Sequence, residues 1–384
     1  MRVLIAGVSA RAAADSAARA GFDVTAVDAF ADLDQHPAVH LVALAGRFTA
    51  VNAANAAAGI DADAVVYLSN FENHPVAVAN LQRGRALWGN SPDGLRRVRD
   101  PFAVHDALTR RGFSVAEPRA ADIEPSGRWL VKPFASGGGQ RIRDWDGRRA
   151  PRRCYLQKFI EGVPGSIVFV SAGGRAVPLG VSRQLVGDPD FGASGFRYCG
   201  NVLVPADDAT FARDEALVGA ACRLADAVAD EFRLVGVNGI DFVARDGTAW
   251  LVEINPRWTA SMELVERAYR IDVFDAHVSA CTQGALPRFD LGRARVGGRA
   301  FGKAIVYARD TVTLGDTRAW LPVETSRDIA PIRDVPHPGQ TIAFGDPICT
   351  VFADAGGVDA CRAALARQAG LVDADLSGWV GDVC

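Results

Sequence analysis

The sequence predicts an α/β chain that passes into an α+β one. It opens with a parallel sheet, continues with further strands, a long helix and one hairpin, and ends in a small β-rich part. Three observations carry this. Arg2–Gly7 and Phe22–Val27 are apolar strands on either side of an Ala-rich helical stretch, the βαβ pattern of a parallel sheet. Between Cys154 and Asn255 the chain reads as strands at Cys154–Gly162, Ser166–Val170, Ala176–Arg183, Asn201–Val204 and Leu234–Ala244, with one long helix among them. Beyond Phe301 the pattern changes to short strands separated by turns. A chain of 384 residues is too long for one core. We expect domains over residues 1–90, 91–290 (with a subdomain at about 100–155) and 291–384.

Composition excludes several classes. Apolar residues make up 49% and charged residues 23%, as in ordinary globular proteins. The net charge is −3 and no Lys/Arg-rich tract occurs, so no nucleic-acid partner is expected. No run reaches the roughly 18 apolar residues of a membrane span, and residues 2–8 already read as a buried strand, so the expectation is a cytoplasmic protein without a membrane partner. Seven scattered cysteines without C-x-x-C, and six histidines without ligand spacing, argue against zinc and against a disulfide framework.

In chain order, Asp28 closes the second strand, as an acid does in dinucleotide-binding folds. Only Gly7 stands where G-x-G-x-x-G would be needed, which argues against NAD(P). Ala64–Leu68 is a further strand that delivers Ser69-Asn-Phe-Glu72 to the carboxyl edge of the sheet, where open α/β folds bind ligands. Ser9, Arg11, Asn70 and Glu72 are therefore substrate-site candidates, beside the alternative of ordinary polar loop residues. Asn90–Gly94 is a turn cluster with a helix start at Ser91, and a helix follows over Pro101–Arg111.

Trp129-Leu-Val-Lys132 is a strand ending in lysine, followed by Ser136-Gly137-Gly138-Gly139-Gln140. Successive glycines let backbone N–H groups wrap anionic oxygens, and Lys132 adds a point charge. No G-K-[ST] opens a helix, so this is not a Walker A loop. Cys154–Gly162 contains Gln157-Lys158-Phe159-Ile160-Glu161-Gly162, a strand that breaks at glycine. Phe211–Glu231 shows helical spacing of apolar residues and is expected to pack on a sheet. Leu234–Ala244 carries Asp241, and Arg245-Asp-Gly-Thr248 turns the chain into Trp250-Leu-Val-Glu253-Ile-Asn255-Pro-Arg257.

This last stretch organises the chemistry. Glu253 and Asn255, two residues apart on a strand, share one face, and Leu251 is expected to point with them. Carboxylate and amide oxygens suit a hard divalent cation, and Arg257 places a guanidinium beside it. A cation beside an arginine is what a transferring phosphoryl group requires. Asp241 can join Glu253 only if the two are directly opposed across the hairpin. That register calls for an odd-numbered loop of three or five residues, despite the two-residue preference of Asp-Gly.

The strand lysine with its glycine loop, Q-K-F-I-E-G at 157–162, G-V-N-G-I-D-F at 236–242 and E-I-N-P-R at 253–257 together resemble the ATP-grasp superfamily over roughly residues 90–285. The N-terminal region then corresponds to a Rossmann-like pre-ATP-grasp domain, with the two-lobed nucleotide-binding region next and the small C-terminal β-rich domain last. The resemblance implies ATP held between two lobes. Lys132 would contact phosphates and 136–140 would cover them. The backbone of Lys158–Ile160, after Gln157, would meet adenine, with Glu161 on the ribose. Asp241, Glu253 and Asn255 would hold Mg²⁺, with Mn²⁺ as the alternative. Family members often carry a lysine just after an Asp at the start of the lid. Here Asp100 is followed by Pro101, so Arg97 or Arg99 replaces it or the nucleotide sits differently. P-H-P-G-Q-T-I and G-D-P-I-C-T-V, within Ile332–Ala353, resemble the C-terminal region of uncharacterised ATP-grasp proteins described as related to biotin carboxylase. Some of these are linked to one-carbon carriers such as methanofuran.

The implied activity is an ADP-forming carboxylate–amine ligase acting on small molecules. Arg257, Lys132 and Arg183 would neutralise charge on the phosphoryl group, and Gln184 would lie along the substrate cleft. Two rivals are a carboxylase that makes carboxyphosphate from bicarbonate and a non-catalytic nucleotide-binding regulator. An exposed sheet edge is compatible with a homodimer.

Overall fold

The computed structural model describes residues 1–44, 46–120, 126–206, 208, 215–321 and 331–381. Strands β1 (Arg2–Ala6), β2 (Asp23–Asp28), β3 (Val39–Ala43), β4 (Ala64–Tyr67) and β5 (Ala86–Leu87) form a parallel sheet in the order β3-β2-β1-β4-β5. Near-continuous apolar strands such as Val3–Ala6 are what a sheet covered on both faces demands, and all four are buried. Helices α1 (Arg11–Arg19), α2 (Ala50–Ala56) and α3 (Pro75–Gln82) cover it. Asp28 does not await a ribose: its carboxylate accepts from the backbone amides of Ala10, Phe30 and Ala31.

Helices α4 (Pro92–Val98) and α5 (Pro101–Arg110) follow. Ser91 caps α4 by accepting from the Gly94 amide, and Asp100 caps α5 by accepting from Phe102 and Ala103. Pro101 sits at the first helical position, where its missing N–H costs nothing. The Asp-Pro pair is thus a helix start, and any cation here must come from elsewhere.

A small antiparallel sheet comes next, ordered β6-β9-β7-β8, from β6 (Pro118–Arg119), β7 (Trp129–Pro133), β8 (Arg143–Asp144) and β9 (Cys154–Lys158). The large antiparallel sheet contains β10 (Val163–Ala172), β11 (Arg175–Val186), β12 (Tyr198–Leu203), β13 (Gly236–Arg245) and β14 (Thr248–Asn255). It continues through β15 (Arg299–Tyr307), β17 (Ile332–Arg333) and β19 (Pro347–Gly356), in the order β14-β13-β10-β11-β12-β15-β19-β17. Strands β15, β19 and β17 of the C-terminal β-rich part extend this sheet past β12. Strands β16 (Val312–Thr313) and β18 (Thr341–Ile342) pair separately. Among the short strands expected beyond Phe301, the chain instead makes a 3₁₀ turn at Thr317–Trp320.

Alternation along β10 sorts the two faces. Ile167 and Phe169 share a core with Leu217, Ala221, Leu224 and Val228 of α6 (Glu215–Phe232). Each such buried Leu or Val contributes about 1.5–3 kcal/mol. The start of the helix expected from Phe211 lies outside the described residues. Val168 and Val170 face the other way, into a core with Met262 and Val265 of α7 (Ala260–Tyr269) and Phe274 of α8 (Val273–Gln283). Further along that second face the sheet turns polar at Ser166, Ser182, Gln184, Asn201 and Asp241, and there the cleft lies. Helices α9 (Leu291–Ala294) and α10 (Val358–Gly381) complete the chain. No helix among the described residues is long and apolar enough to cross a membrane.

Candidate active site

The β13–β14 hairpin sets the register of the site. Asp246 and Gly247 both adopt left-handed backbone (φ 50° and 70°) and Arg245 pairs with Thr248, so the turn has two residues. The expected odd-numbered loop is overturned. Asp241 nevertheless faces Glu253, because a β-bulge supplies the extra residue: Phe242 pairs with Leu251, Asp241 pairs with Glu253, and Val252 is left over. The bulge also corrects the expected direction of Leu251, which joins Phe242 in the core while Glu253 faces the cleft.

Asp241 accepts from Gln184 Nε2 (2.7 Å) and from Asn255 Nδ2 (2.9 Å). Glu253 Oε1 accepts from Arg99 Nη1 at 2.6 Å. Asn255 Oδ1 accepts from Arg257 Nη2 at 3.2 Å, and Arg257 Nε donates to Glu72 Oε1 at 2.8 Å. Glu72 is 1% exposed, and its second oxygen has no hydrogen-bond partner among the described residues. Burial first, and the adjacent Glu253 charge second, push the Asp241 carboxyl up to about 6. Burial also raises Glu253, but Arg99, Lys132 and Arg257 outweigh it and hold that carboxyl below its usual range.

This donor set suits a hard dication: two carboxylates and one amide, all oxygen, with Asp241 short of positive charge. No group of three or more His, Cys, Asp or Glu able to hold a metal occurs among the described residues, so the rest of such a shell would come from ligand or water oxygens.

Across the cleft, Lys132 on β7 is buried and donates to Gln157 Oε1 on β9 (3.0 Å). Gln157 Nε2 in turn donates to the Val252 carbonyl (3.1 Å), tying the small sheet to the bulge. The glycine loop lies down over this junction. The Ser136 carbonyl accepts from Asn73 Nδ2 (3.3 Å), and the Gly138 carbonyl from the Tyr198 amide (3.0 Å). Gly138 and Gly139 are left-handed, and a β-carbon on Gly139 would overlap the Phe196 carbonyl. Arg99, Lys132, Ser136, Tyr155, Gln157 and Glu253 line the resulting cavity, with Val98, Val115 and Ile254 as apolar wall.

At the junction of the sheets, the Lys158 amide donates to Glu117 and the Phe159 amide to Arg128, whose guanidinium lies 3.7 Å over the Phe159 ring. Ile160 is buried, while Lys158 and Glu161 are exposed. Both amides are engaged, so a base would have to meet the remaining backbone groups of this segment.

Four expected residues land differently. Arg183 neighbours Gln184 on β11 and so points to the opposite face, where it pairs with Asp208 (2.6 Å) and Asp359 (3.4 Å). Arg11 is 1% exposed, lies among Asp334 (2.6 Å), Glu263 (2.9 Å), Asp15 (3.3 Å) and Asp34 (3.6 Å), and does not line the cavity beside Lys132. Ser9 is exposed and Asn70 half-buried at the sheet edge, without a side-chain bond into the cleft among the described contacts. Sequence reasoning passed over Asn73, whose amide bridges the glycine loop and Arg99. Its position directly after Glu72 was the available signal.

A lysine, a glycine loop and opposed acids thus line one cleft between the small and the large sheet. Residues 98–261 match the family described as an ATP-grasp domain. An uncharacterised protein of Methanocaldococcus jannaschii is 21% identical over 390 residues, covering 92% of this chain and 88% of that protein. Among solved structures, Rhizobium etli pyruvate carboxylase aligns with TM-score 0.72 and 16% identity over 96% of this chain, which spans only 37% of that one. The biotin carboxylase domain of Hydrogenobacter thermophilus 2-oxoglutarate carboxylase, solved with MgADP and bicarbonate, aligns with TM-score 0.68 and 14% identity (92% of this chain, 86% of that one). The L-amino acid ligase of Bacillus licheniformis aligns with TM-score 0.67 and 15% identity, over 96% and 97% of the two chains. At these identities the likenesses establish the fold.

Proposed function

We propose that this protein is an ATP-dependent ligase that activates a carboxylate as an acyl phosphate and joins it to an amine, releasing ADP and phosphate. The observation that carries the proposal is the opposition of Asp241 and Glu253, with Asn255 and Arg257 beside them, across one cleft from Lys132 and the glycine loop. In the proposed step a carboxylate oxygen bonds to the γ-phosphorus as the β–γ bridging bond breaks and ADP leaves. The amine nitrogen then attacks the acyl carbon, and phosphate departs in place of an oxide. No nucleophilic side chain is needed; the protein positions reactants and stabilises charge.

The roles follow from placement. Asp241, Glu253 and Asn255 would hold a dication that neutralises phosphate oxygens. Lys132, kept in place by Gln157, would face the phosphates, with Ser136–Gly139 above them and Lys158–Glu161 at the base and ribose. Arg257, oriented by Glu72, would meet the transferring group. Gln184 would border the acceptor side of the cleft through its bond to Asp241. Arg183 is left out, since it points to the other face. A place in making a one-carbon carrier such as methanofuran belongs to the same proposal and rests on the resemblance of Ile332–Ala353 alone.

The likeness to a biotin carboxylase domain solved with bicarbonate supports a second reading, carboxyphosphate formation. One experiment separates them: phosphate release from ATP against carboxylates and amines, singly and in pairs, with and without bicarbonate. Ligation predicts turnover only with an acid–amine pair. Turnover on bicarbonate alone would overturn it in favour of carboxylation.

A further inference from the structure

A guanidinium stands where the metal reading puts positive charge. Arg99 ends α4, one residue before the Asp100 cap, and its side chain is 12% exposed. Its Nη1 donates to Glu253 Oε1 (2.6 Å) and to the Ile254 carbonyl (2.9 Å). Nε and Nη2 donate to Asn73 Oδ1 (3.2 and 2.9 Å), and Nη2 reaches the Ser136 carbonyl at 3.5 Å. One side chain therefore joins the β14 acid, the loop after β4 and the glycine loop. Arg97, the other arginine near the Asp-Pro helix start, turns away: it donates to the Glu231 carbonyl and lies 5.9 Å from the centre of the Phe232 ring.

The two available carboxylates are unequal. Asp241 is held by the amides of Gln184 and Asn255, which are neutral, whereas Glu253 is ion-paired by a full charge. A dication shared by Asp241 and Glu253 and a guanidinium on Glu253 Oε1 would be neighbours within one buried site. Like charges at about 4 Å repel strongly where water is excluded. The two can coexist only if further negative charge enters the cavity between Arg99, Lys132 and Ser136. Nucleotide phosphates are such a charge, and the Arg99 fork suits phosphate oxygens.

We propose that Arg99 gates the site electrostatically: it neutralises Glu253 while no nucleotide is present, passes to a phosphate as the nucleotide arrives, and so makes dication binding depend on nucleotide binding. This rests on the ATP-site reading above, and it goes beyond that reading by making the two loadings reciprocal.

The test uses the full chain and two probes, Mn²⁺ followed by electron paramagnetic resonance and ADP followed by calorimetry. If the Arg99–Glu253 pair occupies nine-tenths of the unliganded protein, free Mn²⁺ binds on the order of tenfold more weakly than the bare carboxylates would allow. Wild type should therefore bind Mn²⁺ at least about tenfold more tightly with ADP than without. Arg99→Gln should bind Mn²⁺ alone on the order of tenfold more tightly than wild type, and Mg·ADP more weakly. Arg99→Lys, which keeps the charge, should leave free Mn²⁺ weak. Equal Mn²⁺ affinity with and without ADP in wild type overturns the gate without needing any variant. So does a folded Arg99→Gln protein, checked by thermal melting, whose free Mn²⁺ affinity is unchanged. Glu253→Gln distinguishes the two levels. Loss of Mn·ADP binding there, beside an unchanged Arg99→Gln, removes the gate and leaves the site standing, whereas undiminished Mn·ADP binding removes both.

Discussion

Asp241 shows how a single residue ties pH to the candidate chemistry. Burial and the nearby Glu253 charge raise its carboxyl to about 6, above its value in an unfolded chain. The folded state therefore binds this proton more tightly, so the group favours folding at low pH and that contribution is lost as pH rises through about 6. Metal binding runs the other way, because the ligand is the carboxylate. We predict that Mn²⁺ affinity in the presence of ADP falls as pH drops through about 6, and that Asp241→Asn abolishes the inflection; titrations between roughly pH 5 and 8 would show it. Lys132 gives a second prediction at this scale. Its partners, Gln157, Tyr155 and Glu253, are polar groups of the cleft, so Lys132→Ala should raise the Kd for ADP on the order of tenfold or more while the melting temperature stays within a few degrees. An unchanged Kd in a folded variant would remove its phosphate role. Lys132, Asp241, Glu253 and Asn255 were legible in the sequence because each side chain announces its chemistry and its strand announces its direction. Arg99 and Asn73 were less so, since their value lies in a meeting of three segments that no local pattern encodes.

Among the elements, the β13–β14 hairpin is instructive because a right register came from a wrong turn. The requirement that two acids share a face fixed Asp241 opposite Glu253. Nothing in Trp250-Leu-Val marks a bulge, so the extra residue was assigned to the loop. The left-handed preference of Asp-Gly decided the turn instead, and the strand absorbed the difference. The glycine loop invites a test of the same kind. Its lowered position depends on Gly139 lying against the Phe196 carbonyl and on the bond from Tyr198 to Gly138. Gly139→Ala combines a left-handed backbone with an overlap, at a cost of about 1–3 kcal/mol for the docked loop. We predict weaker ADP binding with little change in global melting, because the loss is confined to one loop. Amide exchange at residues 134–140 should increase, and unchanged exchange would show that the loop tolerates the side chain.

At the scale of the whole molecule, Arg11 marks the limit of reading by position. It lies at the carboxyl edge of the first sheet, where ligands bind in open α/β folds, yet its partners Asp34, Glu263 and Asp334 come from three distant segments. Lys303 closes the same network on Glu263 at 2.8 Å, and the segment after β17 clasps the N-terminal loop through Leu33–Val335 and Asp34–Val335 hydrogen bonds. Arg11→Met would strand several buried carboxylates, and we predict a loss of about 3–5 kcal/mol in urea unfolding. An unfolding free energy within error of wild type would show that the network does not depend on this arginine. The continuity of the large sheet has a consequence for anyone dissecting the chain. Residues 98–261 carry the family signature, but β12 pairs with β15 through Gly200–Ala304, Asn201–Lys303 and Val202–Gly302. A fragment stopping before Arg299 would leave that row of amides and carbonyls open to solvent, a template for pairing with another copy. Such a fragment should self-associate, because the strand that protects its flank belongs to the part removed.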